Sequence, residues 1–253
     1  MNATVTLFLC GDVMTGRGID QILPHPGDAR LLEGYVRKAT GYVELAERVS
    51  GTLQRPVAFD YVWGDALAEL ERVRPDARIV NLETAVTTSP EAWPGKGIHY
   101  RMNPANMPAL AVARLDCCVL ANNHVMDWGR RGLTQTLQSL RAAGIRTAGA
   151  GENADEAAAP AAIGLAGGAR VLVFAYAMAS SGVPAQWAAG PARSGVNFLD
   201  GLSERSVARV ARAIARHKGD RDIAVLSIHW GGNWGYEITP SERAFAHMLV
   251  DAA

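Results

Sequence analysis

A chain of 253 residues, 49% hydrophobic, holds enough apolar material for one large α/β domain, and a single domain over 1–253 is the expectation. Lys plus Arg and Asp plus Glu each number 25, so the formal net charge is zero and no long basic run occurs. That balance gives sequence-independent nucleic-acid binding little support and leaves anionic ligands to local charge.

Three cysteines, Cys10, Cys117 and Cys118, form no Cys-x-x-Cys and read as reduced core residues. The first residues carry no basic stretch before their apolar run, unlike a signal peptide. The longest uncharged stretch, 171–192, is broken by Ser180, Gly182, Pro184 and Pro191 and cannot span a membrane. A soluble cytoplasmic protein is expected.

In chain order, the elements alternate. A strand is predicted at 5–10, a helix at 63–72, a strand at 78–82, a helix at 104–114 and a strand at 117–121. There follow a helix at 132–143, a strand at 171–176, a helix at 203–217, a strand at 223–228 and a helix at 240–252. The strands are mostly continuous apolar runs, which predicts burial on both faces of a sheet within an α/β chain. Ser203 with Ser206, Ala208, Val210 and Ile214 makes the clearest amphipathic helix. Thr239 before Pro240, with Glu242 in the first turn, reads as an N-cap. The 84–103 segment is rich in Pro and Gly and too long for an ordinary connection, so it is expected to cover a site. Residues 20–59 form a second insertion without strong periodicity, and 154–169 reads as a poor strand with a turn at Gly167 and Gly168.

Four polar clusters follow apolar strands: Gly11 to Arg17 (GDVMTGR), Asn81 to Glu83 (NLE), Asn122 to His124 (NNH) and Ser227 to Gly231 (SIHWG). Carboxylates, an amide and imidazoles at strand ends suit a hard or borderline divalent cation, and open α/β sheets bind ligands at that edge. Asp12 reads equally as a turn-capping carboxylate. Glu83 is harder to dismiss as a cap, since Thr84 fits that place better. Asp127 lies three residues beyond His124, so the pair reads as an acid oriented by a carboxylate. His229 has a core histidine as its alternative. Arg17 suits a phosphate or carboxylate through its donor fork, although alone it reads as a surface ion pair. Lys96, His99, Tyr100 and Arg101 are candidate substrate contacts with solvated alternatives. Gly149-Ala150-Gly151 lacks the third glycine of a dinucleotide loop, and no phosphate loop, serine elbow, His-x-His or Asp-x-His occurs.

The ordered set GDVMTGR, NLE, NNHVMDWG and HWGGNWG resembles the CapA family of poly-γ-glutamate capsule biosynthesis proteins, within the calcineurin-like metallophosphatase superfamily. The resemblance spans nearly the whole chain. It implies a metallophosphatase-like four-layer α/β/β/α sandwich. It also implies metal ligands at Asp12, Glu83, Asn123 and His229, with His124 protonating the leaving group. Met14 stands where the superfamily has the histidine of Asp-x-His, and the closing Gly-His-x-His is missing, which implies a fold incomplete at the C-terminus. The functional expectation is a divalent-metal hydrolase, the ion being of the Mn, Zn or Fe class. It would act on a phosphate ester or a glutamyl or cell-envelope amide, with Arg17 and Arg101 holding an anionic small-molecule or polymer substrate. The alternatives are a non-catalytic accessory in capsule polymer synthesis or export, and a metal-free peptide-modifying relative using His124 and Asp127.

Overall fold

The computed structural model describes residues 4–252. Residues 1–3 and 253, which the single-domain expectation and the reading of the N-terminus included, lie outside it. The fold is mixed α/β, and contact density divides it into two compact units, Met1–Cys118 with His124–Thr147, and Val119–Asn123 with Ala148–Ala253. Among the described residues no helix is long and apolar enough to cross a membrane.

The first unit is built from β1 (Leu7–Val13), α1 (Arg17–Ile22), α2 (Thr40–Ser50), α3 (Ala66–Val73), β2 (Ala77–Leu82), β3 (Ala85–Val86), β4 (Arg101–Met102), α4 (Pro108–Ala111), β5 (Cys117–Val119), α5 (Gly129–Ala142) and β6 (Arg146–Ala148). Its main sheet has the order β1-β2-β5-β6. β2 is buried at every position, as a doubly covered strand should be. β1 departs from that expectation. It lies at the end of the sheet with β2 as its neighbour, and Leu9 is 57% exposed. Cys10 is exposed too, so it is no core residue, whereas Cys117 and Cys118 are buried thiols. β1 also runs past the predicted end at Cys10. The register against β2 shifts between Cys10 and Asp12, a bulge at Gly11, so Asp12 lies inside the strand opposite Asn81 rather than after it.

The 84–103 segment is drawn closed at its neck, where β3 pairs parallel with β4 (Ala85 with Arg101, Val86 with Met102). The 20–59 insertion contains α2 and packs its own small core of Ile22, Leu23, Val43, Val57 and Ala109, which is where its apolar residues go despite weak periodicity.

The second unit comprises β7 (Ala150–Gly151), α6 (Ala154–Ala158), β8 (Ala161–Gly164), β9 (Arg170–Met178), β10 (Gly195–Val196), β11 (Phe198–Leu199), α7 (Glu204–His217), β12 (Ile223–His229) and α8 (Pro240–Asp251). β9 is the central strand: β8 pairs with it antiparallel, and β11 and β12 pair with it parallel. Leu172, Phe174, Tyr176 and Met178 alternate onto one face and meet Val207, Val210 and Ile214 of α7 and Phe245 and Leu249 of α8. β12 is only half-buried along its whole length, unlike the double burial expected, since it ends the sheet with one strand neighbour. Ser203 caps α7 by accepting from Ser206 N, and Thr239 with Glu242 forms a full capping box at α8. Gly149 holds φ +87°, and a Cβ there would sit 2.5 Å from the Ala121 Cβ and 2.7 Å from that of Ala175. This glycine serves close backbone approach, not phosphate binding.

Candidate functional site

In the first unit, parallel pairing of β1 with β2 brings Asp12 and Glu83 together. Asn81 Nδ2 donates to Asp12 Oδ1 at 2.7 Å, and Glu83 N donates to Val13 O at 3.0 Å, so each acid's backbone or side chain is tied across the strand pair. Glu83 is 9% exposed. Burial, followed by a hydrogen bond with Asp12 and that group's charge, pushes the Glu83 carboxyl up to about 8, while Lys96 opposes the shift. At neutral pH the Glu83 carboxyl therefore holds its proton.

Next to this pair lies the turn after β5. His124 Nδ1 is 2.6 Å from Asp127 Oδ2, and His124 Nε2 is 3.6 Å from Glu83 Oε1. Asp127 is fully buried and multiply held: Oδ2 also accepts from Tyr100 N at 2.7 Å, and Oδ1 meets Lys96 Nζ at 2.7 Å. With Nδ1–H donating to this carboxylate, Nε2 is the ring atom left to face Glu83. Burial lowers the His124 pKa below its usual value, with Asp127 pulling the other way. Tyr100 stacks on the imidazole with centroids 3.9 Å apart and fixes the ring plane.

The long loop is therefore not a solvated cover. Lys96, His99 and Tyr100 are half-buried or buried, and the loop is stitched to the turn by Trp93 N donating to Asp127 O at 2.7 Å and by a 3.0 Å contact of His99 Nε2 with Trp93 O. Arg101 donates Nη1 to Ser89 O at 3.0 Å and Nη2 to Asp28 O at 3.3 Å, and its guanidinium lies 3.9 Å from the Trp128 ring centroid. Arg17 is likewise no surface ion pair. Its Nε donates to Glu33 Oε1 at 2.7 Å, with side-chain exposures of 15% and 1%.

In the second unit, β12 ends at His229, whose Nε2 is 3.1 Å from Asn123 Oδ1. Ser181 Oγ lies 2.9 Å from both His229 O and Met178 O, tying the ends of two parallel strands. Behind it, Trp230 packs on Phe245 with centroids 5.8 Å apart.

Asp12, Glu83, His124 and Asp127 thus converge within the first unit, with Lys96 among them, and Asn123 and His229 meet within the second. Glu33, Tyr42 and Ser181 were not legible as site residues. Glu33 and Tyr42 sit in the aperiodic insertion, and Ser181 in a Ser/Gly stretch that signals only a turn. The soft Met14 accepts a hydrogen bond from Gly16 N at 3.1 Å.

The family model described as "Bacterial capsule synthesis protein PGA_cap" matches residues 6–253. A probable polyglutamine synthesis accessory protein of Mycobacterium tuberculosis is 48% identical over 249 residues, which cover 98% of this chain and 66% of that protein. The capsule biosynthesis protein CapA of Bacillus anthracis is 24% identical over 253 residues, 99% of this chain and 52% of that one. The PGA biosynthesis protein CapA of Bacillus subtilis is 24% identical over 243 residues, 96% and 53% respectively. The chain spans 66% of the mycobacterial relative's length and about half of the two Bacillus proteins.

Proposed function

We propose, from the premise that this chain belongs to the PGA_cap family of bacterial capsule synthesis proteins, that it carries a metal-dependent hydrolytic centre. Its substrate would be a phosphate ester or a glutamyl or cell-envelope amide in capsule or polyglutamate synthesis. The observation that carries this reading is the crowded Asp12–Glu83 acid pair beside the His124–Asp127–Lys96 array. Two carboxylates in contact, one held protonated to about 8, form an anionic donor set whose proton a divalent cation would displace. On the family resemblance we assign Asp12 and Glu83 in the first unit, and Asn123 and His229 in the second, to holding divalent ions of the Mn, Zn or Fe class, for which hard oxygens and borderline nitrogen are suitable donors. When bound, such an ion supplies Lewis-acid polarisation of the scissile group.

The chain's own residues do the rest. Asp127 orients the imidazole through Nδ1 and opposes the burial that disfavours its charged form, and it is the protonated ring of His124 that would donate from Nε2 to the leaving group. Lys96 pairs with Asp127 Oδ1 and balances its charge in a buried place. Arg17 holds an anionic substituent, and Arg101 secures the 84–103 loop that carries Lys96 and Tyr100.

A second reading is a non-catalytic accessory that uses the same residues to bind a polymer end. The name of the mycobacterial relative, a probable polyglutamine synthesis accessory protein, favours it. Elemental analysis of the purified protein, together with hydrolysis of bis-p-nitrophenyl phosphate and of a γ-glutamyl anilide, separates the two. Bound metal with turnover that His124→Ala abolishes supports the hydrolase. Bound metal without turnover on either substrate leaves the accessory role, and no bound metal refutes the metal centre.

A further inference from the structure

We propose that Arg17 forms a carboxylate-selective subsite, preset by Glu33 and Tyr42 of the 20–59 insertion, which recognises a single carboxylate of the substrate. The inference deepens the function proposed above and rests on it for the chemistry at His124, while its own evidence lies around the arginine.

Arg17 begins α1 with φ +50°, uncommon for a non-glycine residue. Its side chain sits in a cage. Nε donates to Glu33 Oε1, and Tyr42 OH donates to the other oxygen of the same carboxylate at 2.5 Å. Glu33 is fully buried. The guanidinium lies 4.8 Å from the Tyr42 ring centroid and 4.8 Å from that of Tyr100, so aromatic rings restrict its rotation. Its outer edge is barely used. Nη2 reaches Tyr35 OH only at 3.5 Å, and among the described residues Nη1 makes no hydrogen bond.

Two parallel N–H groups on a fixed, partly exposed plane match the two oxygens of a carboxylate. Charge then discriminates between anions. Glu33 already balances the arginine, so a bound monoanion leaves one excess negative charge next to a buried carboxylate, whereas a phosphate dianion leaves two. Tyr100, which touches both the guanidinium and the imidazole of His124, sets the subsite beside the proposed acid. The insertion thus acts as a specificity element.

The test uses the whole chain, labelled with 15N-arginine and kept metal-free with a chelator. The Arg17 Nε–Hε resonance is followed on titration with N-acetylglutamate and, separately, inorganic phosphate at constant ionic strength. A saturating shift is expected, at least about tenfold tighter for N-acetylglutamate. Arg17→Lys, which keeps the charge but loses the fork, should weaken N-acetylglutamate binding by about tenfold or more. Glu33→Gln should move the preference toward phosphate, a change that a merely structural glutamate would not produce. Tyr42→Phe is the milder variant should Glu33→Gln fold poorly, and it should weaken N-acetylglutamate binding without loss of fold. Phosphate binding as tightly as N-acetylglutamate, no saturable shift, or unchanged affinity in Arg17→Lys would each overturn the proposal. Because no metal or turnover enters the measurement, a failed hydrolase reading leaves a positive result standing, and a negative result here leaves the metal centre untouched.

Discussion

Glu83 and His124 respond to pH in opposite senses, and that difference makes their environments measurable. The folded-state pKa of Glu83 is raised from its usual 4.5 to about 8, so the folded chain binds more protons than the unfolded one between those values. Its stabilising contribution is full below 4.5 and is lost as pH rises toward 8. His124 is lowered from 6.5, so its contribution is full above that value and is lost as pH falls below it. In the metal-free protein the window from 6.5 to 8 therefore isolates Glu83: thermal stability should decline with rising pH, and Glu83→Gln should flatten the decline. A slope that survives in the Gln variant would place the titration elsewhere. At the same scale, His124→Ala should cut turnover by about 10²- to 10⁴-fold with metal content retained, as removal of a general acid does. Asn123→Ala and His229→Ala should lose metal and activity together. Equal metal loss in all three variants would make His124 a ligand.

Elements were legible where local chemistry alone sets them. Thr239, Pro240 and Glu242 announced the start of α8, and the capping box is present. Thr239→Ala should cost about 1 kcal/mol, measurable by urea denaturation, because an orphan backbone donor loses its acceptor. Leu23, buried in the small core of the insertion, is a sharper probe of a segment that looked irregular. Leu23→Ala should cost about 2–5 kcal/mol if that core is packed as described, and a cost near zero would show that it is not. The predicted helix at 104–114 proved to be a short 3-10 turn at Pro104–Asn106 and α4 at Pro108–Ala111, since Pro108 interrupts the hydrogen bonding that a continuous helix needs. α2 escaped notice because its apolar residues mark no single core face, Val43 alone being buried, and β3 and β4 because two residues carry no periodicity.

At the scale of the molecule, the chain passes between the two units three times, at 118/119, 123/124 and 147/148, so neither is a continuous stretch of sequence. One cooperative transition is expected, with calorimetry and far-UV circular dichroism coinciding, and two resolved transitions would make the units separate domains. By itself the sequence determined the alternation of strands and helices, the doubly buried runs of β2 and β9, the polar residues near the strand ends and the family. These depend on period, composition and neighbours a few residues apart, which are written locally. Only the tertiary structure decided which polar residues meet. Asp12 sits inside its strand through the bulge at Gly11, Lys96 reaches Asp127 from the 84–103 loop, and Glu33 clamps Arg17 from an insertion without pattern. Such contacts join groups distant in sequence, and their energy exists only after the intervening chain has been closed and water excluded around them.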